Sequence, residues 1–467
     1  MKIKHSDILI NEEDPFLNCK LNRKACATIL TNIVRTYSDG FVMAIDNEWG
    51  TGKTTFVKMW KQHLENNNFN TIYFNAWEND FDTNPLVAIM SELNCFTNSS
   101  NGSIFKSMIE KGAILSKNML PALIKGIAKK YIDTEILVDA IENATKGATE
   151  ILEEEIKEYS SKKQTIKDFK NELERFVKTV RGNKPIVFII DELDRCRPNY
   201  AVEVLEQMKH FFSVDGIVFA LSIDKIQLCH AIEGVYGSEH INANEYLRRF
   251  IDLEYSLPVP DTKDFCNYLY DYYEYDDFFK SNERIRVSEL ADDKERLLGM
   301  AETILRGTTL RQQEKIFGHA RLVVNFFPKG HYLFPHLLFF LIYAKTLKSG
   351  FFERIASYTI SLQELVNEFE DIFQDKVSPS CSVNFSYVEA LLLYFYNNQR
   401  NNYKTNELYK VDDNGKLEVL VISRFSNSGN RPLNSYISKI INSGEFDDIK
   451  LNYLIEKINL VSLFVLS

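Results

Sequence analysis

The chain has 467 residues, 45% of them hydrophobic, enough to bury two or three cores, because a single core stops growing at about 250 to 300 residues. Its net charge of −10 and pI near 5.5 argue against a protein that coats nucleic acid, although a local basic groove would be hidden in that total. Seven cysteines at 19, 26, 95, 196, 229, 266 and 381 form no CxxC pair, and eight histidines form no HExxH or HxH cluster, so the chain reads as reduced and cytoplasmic, without zinc or disulfides.

At the N-terminus acids stand where a signal peptide needs an apolar core, so secretion is not expected. Phe41 to Thr55, FVMAIDNEWGTGKTT, then sets an apolar run of strand type directly before a glycine-punctuated loop and a helix-like stretch. That is the anatomy of a phosphate-binding loop. A nucleoside triphosphate carries several adjacent negative charges. It needs converging backbone N–H groups, a helix N-terminus behind them and a point-charge cation at the terminal phosphates. In the loop Trp49-Gly50-Thr51-Gly52, the two glycines allow close backbone approach, and Lys53 supplies the cation. Thr54 is placed to ligate Mg²⁺, and Thr55 to bond a phosphate oxygen nearer the ribose. Asn47 stands where the consensus has its first glycine. Asparagine is the non-glycine residue that best tolerates a left-handed backbone, so a left-handed Asn47 is expected to let the loop close.

Between Cys95 and Lys184 the apolar residues come in short pieces, Gly112 to Leu115 and Met119 to Ile124 among them, interrupted by Lys125, Lys129 and Lys130. None reaches the roughly 18 apolar residues of a spanning helix, so no membrane span is expected. The three lysines beside Ile124 and Ile127 read as a solvated helix face rather than a lipid contact. Ile156, Ile166, Phe169, Leu173, Phe176, Val177 and Val180 recur at helical spacing among many Lys and Glu. This predicts amphipathic helices that either brace the core or dock a partner.

Pro185 to Pro198, PIVFIIDELDRCRP, is a short apolar run of buried parallel-strand type that delivers Asp191 and Glu192 at its carboxyl end. Asp191 can hold a Mg²⁺ shell while Glu192 orients and deprotonates an attacking water. The next strand, Gly216 to Asp224, ends in Ser222 and Asp224, which either sense the terminal phosphate or cap the following helix.

Several motifs in this order resemble the KAP family of P-loop NTPases. They are Trp49 to Thr55, with a tryptophan inside the loop, Phe74-Asn75-Ala76-Trp77, Asp191-Glu192-Leu193-Asp194-Arg195, Phe219 to Asp224 with Ala231-Ile232, and Glu245 to Ile251. The approach Asp14-Pro15 and Leu21-Asn22-Arg23-Lys24 also matches, and the resemblance covers about the first 330 residues. The fold expected is an ASCE-type α/β core, a parallel sheet in which the strand of Gly216 to Asp224 separates the acidic strand from the P-loop strand. The reaction implied is Mg²⁺-dependent hydrolysis of ATP, with Glu192 as base and Lys53, Thr54 and Asp191 as the electrostatic cradle. Such sites are completed by an arginine from a neighbouring subunit, and Arg249 matches the family's basic position. Arg195, Arg197 and Arg248 read equally as structural, pairing with neighbours of Asp191 or with Asp194. A homo-oligomeric switch controlling a separate effector, in bacterial defence against phage, is what the resemblance implies. A nucleic-acid motor and a nucleotide-binding scaffold without turnover are the alternatives.

The domains expected are an NTPase domain over 1–258, with a helical insertion at about 96–183, a helical lid over 259–350 and a helical or mixed domain over 351–467. The lid reading rests on Asp261 to Tyr275, Val287 to Ile304 and a helix that starts with a threonine cap at Thr308-Thr309-Leu310-Arg311. Arg311 is the candidate to reach bound phosphates from the lid, and Tyr332 to Ala344, with His336 inside, is expected as a buried helix. Further on come helices at Ile360 to Phe373 and Tyr387 to Tyr396, and a hairpin turning at Asp413-Asn414-Gly415. The tail Leu460 to Ser467 is apolar and expected to dock.

Overall fold

The computed structural model describes residues 8–81, 84–118, 148–237, 241–374, 382–401, 407–411, 417–424 and 433–462. The chain divides into two compact units, the first ending at Val259 and the second beginning at Pro260.

The first unit alternates strand and helix. Its elements are α1 (Lys24–Thr36), β1 (Phe41–Asp46), α2 (Lys53–Asn66), β2 (Thr71–Asn75), α3 (Pro85–Leu93), α4 (Gly102–Asn118), α5 (Ala148–Val180), β3 (Ile186–Asp191), α6 (Pro198–Phe211), β4 (Ile217–Ile223), α7 (Lys225–Tyr236), α8 (Ala243–Leu247) and β5 (Leu253–Ser256). The sheet order is β2-β3-β4-β1-β5 and every pair is parallel. As expected, β4 lies between the P-loop strand β1 and the acidic strand β3.

Strand side chains alternate between two faces, and here both faces are buried. Phe188 and Ile190 of β3, with Phe219 and Leu221 of β4, join one core together with residues of α3, α5 and α6. Val187 and Ile189, with Val218 and Ala220, join the other, against Leu30 of α1 and Phe56 and Trp60 of α2. That double burial explains why these strands read as continuous apolar runs in the sequence.

The described part of the insertion braces the sheet. Phe105 of α4 lies 5.2 Å from Phe176 of α5, and Phe169 lies 5.9 Å from Phe212 in the same core as β3. Ile166, Leu173, Val177 and Val180 pack on that core too. Met119, Ile124, Lys125, Ile127, Lys129, Lys130 and the side chain of Ile156 lie outside the described residues. No described helix is long and apolar enough to cross a membrane.

The second unit is mainly helical, with helices Thr262–Tyr272, Asp293–Ile304, Leu310–Val324, Pro335–Leu347, Ser349–Ala356, Leu362–Phe373, Ser382–Asn401, Leu433–Ser443 and Asn452–Ser462. Pro335 to Ala344 are buried without exception, so this helix is the core of its unit. Burial pushes the His336 imidazole down to about 4, which keeps it neutral there. The hairpin forms from β6 (Tyr409–Val411) and β7 (Leu417–Val419), paired antiparallel. The turn at 413–415 lies outside the described residues, as do 463–467 of the tail.

Candidate nucleotide site

Parallel register sets the site. Asn75, Asp191 and Ser222 are direct neighbours across β2, β3 and β4, and Ser222 pairs with Ile45, next to Asp46, at the end of β1. Every strand therefore delivers its polar residue to the same carboxyl edge, where the P-loop also begins. In the loop Gly50 and Gly52 have φ of 79° and 81°, the left-handed backbone that their missing Cβ permits. Lys53, Thr54 and Thr55 form the first turn of α2.

Lys53 is 9% exposed, and its ammonium donates to the Asn47 carbonyl and, at 2.9 Å, to the Glu48 carbonyl. Burial lowers its pKa, against the nearby carboxylates of Asp194, Asp224, Asp191 and Asp46, which raise it. Asp224 does two jobs at once. One oxygen caps α7 through the Gln227 N–H at 3.2 Å, and the other accepts the Trp49 backbone N–H at 3.1 Å. The Trp49 indole donates to Asp194, whose carboxyl is shifted up chiefly by burial.

Asp191 is 1% exposed and accepts the Tyr73 hydroxyl at 2.9 Å and the Glu192 N–H at 3.0 Å. Glu192 has a positive φ of 59°, a left-handed conformation uncommon for a non-glycine residue. One of its oxygens pairs with Arg195 at 2.8 Å and the other accepts the Asn75 amide at 3.4 Å. Burial is the largest influence on its carboxyl and raises its proton affinity, while Arg195 lowers it.

Asn47 corrects the expectation from sequence. It does not have a positive φ. Its side-chain amide instead donates to the Leu257 carbonyl at 3.1 Å and its N–H to the Ile223 carbonyl at 3.1 Å, tying the loop to β4 and the exit of β5. Glycine at this position would remove the first of these bonds. One such bond is worth about 0.5–1.5 kcal/mol, so Asn47→Gly is expected to bind ATP roughly two- to tenfold more weakly by calorimetric titration. Unchanged affinity would show that the tie to Leu257 does not support the loop.

Other residues of the site are given no role by sequence pattern, although Arg23 and Asn75 stand in the family motifs. Buried Arg23 donates to the Gly52 carbonyl at 3.1 Å and the Thr51 carbonyl at 2.7 Å, bracing the loop from α1. Tyr73 and Asn75 share one side of β2 by its two-residue period, a signal that becomes readable only once Asp191 is known to be their neighbour. The arginines after β3 pair locally, Arg195 with Glu192 and Arg197 with Asp80, and Arg248 pairs with Glu245. Arg249 is exposed just after α8, its N–H donating to the Tyr246 carbonyl at 3.1 Å. Arg311 stands in the first turn of helix Leu310–Val324 in the second unit, behind a capping box made by Thr309 and Gln312.

The sequence model of the KAP family P-loop domain matches residues 22–317, more than half of the chain. The chain belongs to the KAP family of P-loop NTPases. A search of curated proteins returns no match. Among solved structures the chain is similar to the ORC2 protein of Aeropyrum pernix, solved in ADPNP and ADP complexes, at 12% identity and a TM-score of 0.32 over 90% of this chain and 93% of that one. A likeness that remote carries no inference.

The KAP family implies a nucleotide and, with it, Mg²⁺. Thr54 and Asp191 supply the hard oxygen donors that this cation prefers. The Ser222 hydroxyl, beside Asp191 in register, is fully buried without a hydrogen-bond partner, a polar atom that a liganded site would satisfy. The residues fit the group.

Proposed function

We propose that the protein binds ATP with Mg²⁺ and hydrolyses its terminal phosphate, and that this turnover switches an assembly of chains controlling a separate effector in bacterial defence against phage. The observation that carries the reading is the convergence of the P-loop and the Asp191-Glu192 pair on one edge of a parallel sheet. The backbone of Trp49, Gly50, Thr51 and Gly52 cradles the phosphates, with Asn47 holding the loop, and Lys53 supplies the cation. Thr54 and Asp191 would hold Mg²⁺, which supplies charge neutralisation on the phosphates, and Thr55 bonds the phosphate nearer the ribose. Ser222, near the end of β4, faces the terminal phosphate, and Asp224, just past that strand, holds the phosphate loop through the Trp49 N–H. Glu192 takes the proton of the attacking water, a role that its raised proton affinity suits.

The site holds a single P-loop cation, so we assign the remaining positive charge to Arg249 of a neighbouring subunit, with Arg311 as the alternative. The switch and defence roles rest on family membership. The net charge of −10 supports a switch over a nucleic-acid motor. Phosphate release by the purified chain with Mg²⁺ and ATP tests the reading. Tight ATP binding with no release, at any protein concentration, would leave the scaffold reading; stimulation by DNA or RNA would favour the motor.

A further inference from the structure

A carboxylate that takes a proton from water must turn an oxygen to that water, and here both oxygens of Glu192 are engaged. Arg195 takes one at 2.8 Å and Asn75 approaches the other at 3.4 Å. The Arg195 guanidinium is in turn stacked 5.8 Å from the centre of the Trp77 ring, which is 54% exposed. Asn75 is fixed as well, since its side-chain oxygen accepts the Trp77 N–H at 3.1 Å and the Glu78 N–H at 3.3 Å. The turn after β2 and the turn after β3 are thus joined through Glu192, by an ion pair and a cation–π contact that both converge on Arg195.

We infer that Arg195 is a positioning residue that latches Glu192 away from the attacking water, and that Trp77 holds Arg195 in the latching position. The inference rests on the reading of Glu192 as the base. An ion pair to the base competes directly with its hydrogen bond to water, so the latch keeps resting turnover slow, as a switch requires. With ATP bound, the latch opens in part of the population: there Glu192 turns to the water, Arg195 gives up the ion pair, and its place over Trp77 changes.

Steady-state kinetics and Trp77 emission together test the latch. Arg195→Gln is expected to raise kcat about threefold or more with KM unchanged, while Arg195→Lys, which keeps a cation but not the planar group over Trp77, raises it less. Trp77→Ala shifts kcat in the same upward direction and decides the matter if Arg195→Gln does not fold. Trp77 emission, taken as the difference from Trp77→Phe, changes when a non-hydrolysable ATP analogue with Mg²⁺ is added to the native chain, and that change is lost in Arg195→Gln. A fall in kcat, a rise in KM or an emission indifferent to the analogue overturns the latch. Glu192→Gln, run alongside, separates the two failures. If it is inactive while Arg195→Gln is no faster, only the latch fails; if it turns over normally, the base assignment itself is wrong.

Discussion

Glu192→Gln is expected to bind ATP and hydrolyse it at least about a hundredfold more slowly, whereas Lys53→Ala is expected not to bind it at all. The two variants remove different things. Glutamine keeps the shape of Glu192 and can still accept a hydrogen bond from Asn75, but it cannot take a proton from water. Lys53 is the P-loop's cation, and it also holds the loop together, because its ammonium donates to the Asn47 and Glu48 carbonyls. Its removal therefore costs both the charge on the phosphates and the shape of the cradle. Equilibrium binding of a fluorescent ATP analogue and phosphate release, measured on both variants, separate affinity from chemistry. Near-normal turnover by Glu192→Gln would show that Glu192 is not the base and would turn attention to Asp194, which already accepts the Trp49 indole N–H.

Arg249→Ala is expected to lower turnover by about 10³-fold while leaving nucleotide affinity nearly intact, the effect of removing an arginine supplied in trans. Charge that develops on the transferring phosphoryl group is offset only in part by Lys53, a single ammonium. Turnover per chain should then rise with protein concentration. Mixing inactive Arg249→Ala with inactive Lys53→Ala chains should restore partial activity, since each carries what the other lacks. A monomer by light scattering, with turnover independent of concentration and no complementation, would rule out the trans mechanism and make Arg311 the next arginine to substitute.

The sequence by itself determined the parts whose physics is local. The strand, loop and helix around Lys53 are legible because a phosphate cradle needs consecutive backbone groups, so its residues must be neighbours in the chain. The same holds for Asp191 and Glu192 at a strand end, and for the Thr309 cap, which acts within one helical turn. Helical spacing likewise revealed the face of α5 that packs on the sheet, since periodicity survives without knowledge of the partner.

What only the tertiary structure decided are contacts between residues far apart in the chain. The bond from Asn47 to Leu257, the one from Tyr73 to Asp191 and the one from Trp49 to Asp224 span 210, 118 and 175 residues, and each exists because parallel register brings different strand ends to one edge. Asn47 shows the limit of the local argument. Its tolerance for a left-handed backbone is real, but a hydrogen bond to a distant carbonyl, not its φ, accounts for its place in the loop. Arg195 could be assigned to nearby acids from sequence alone, yet which acid it holds, and that Trp77 from another turn stacks on it, follows from the placement of β2 beside β3.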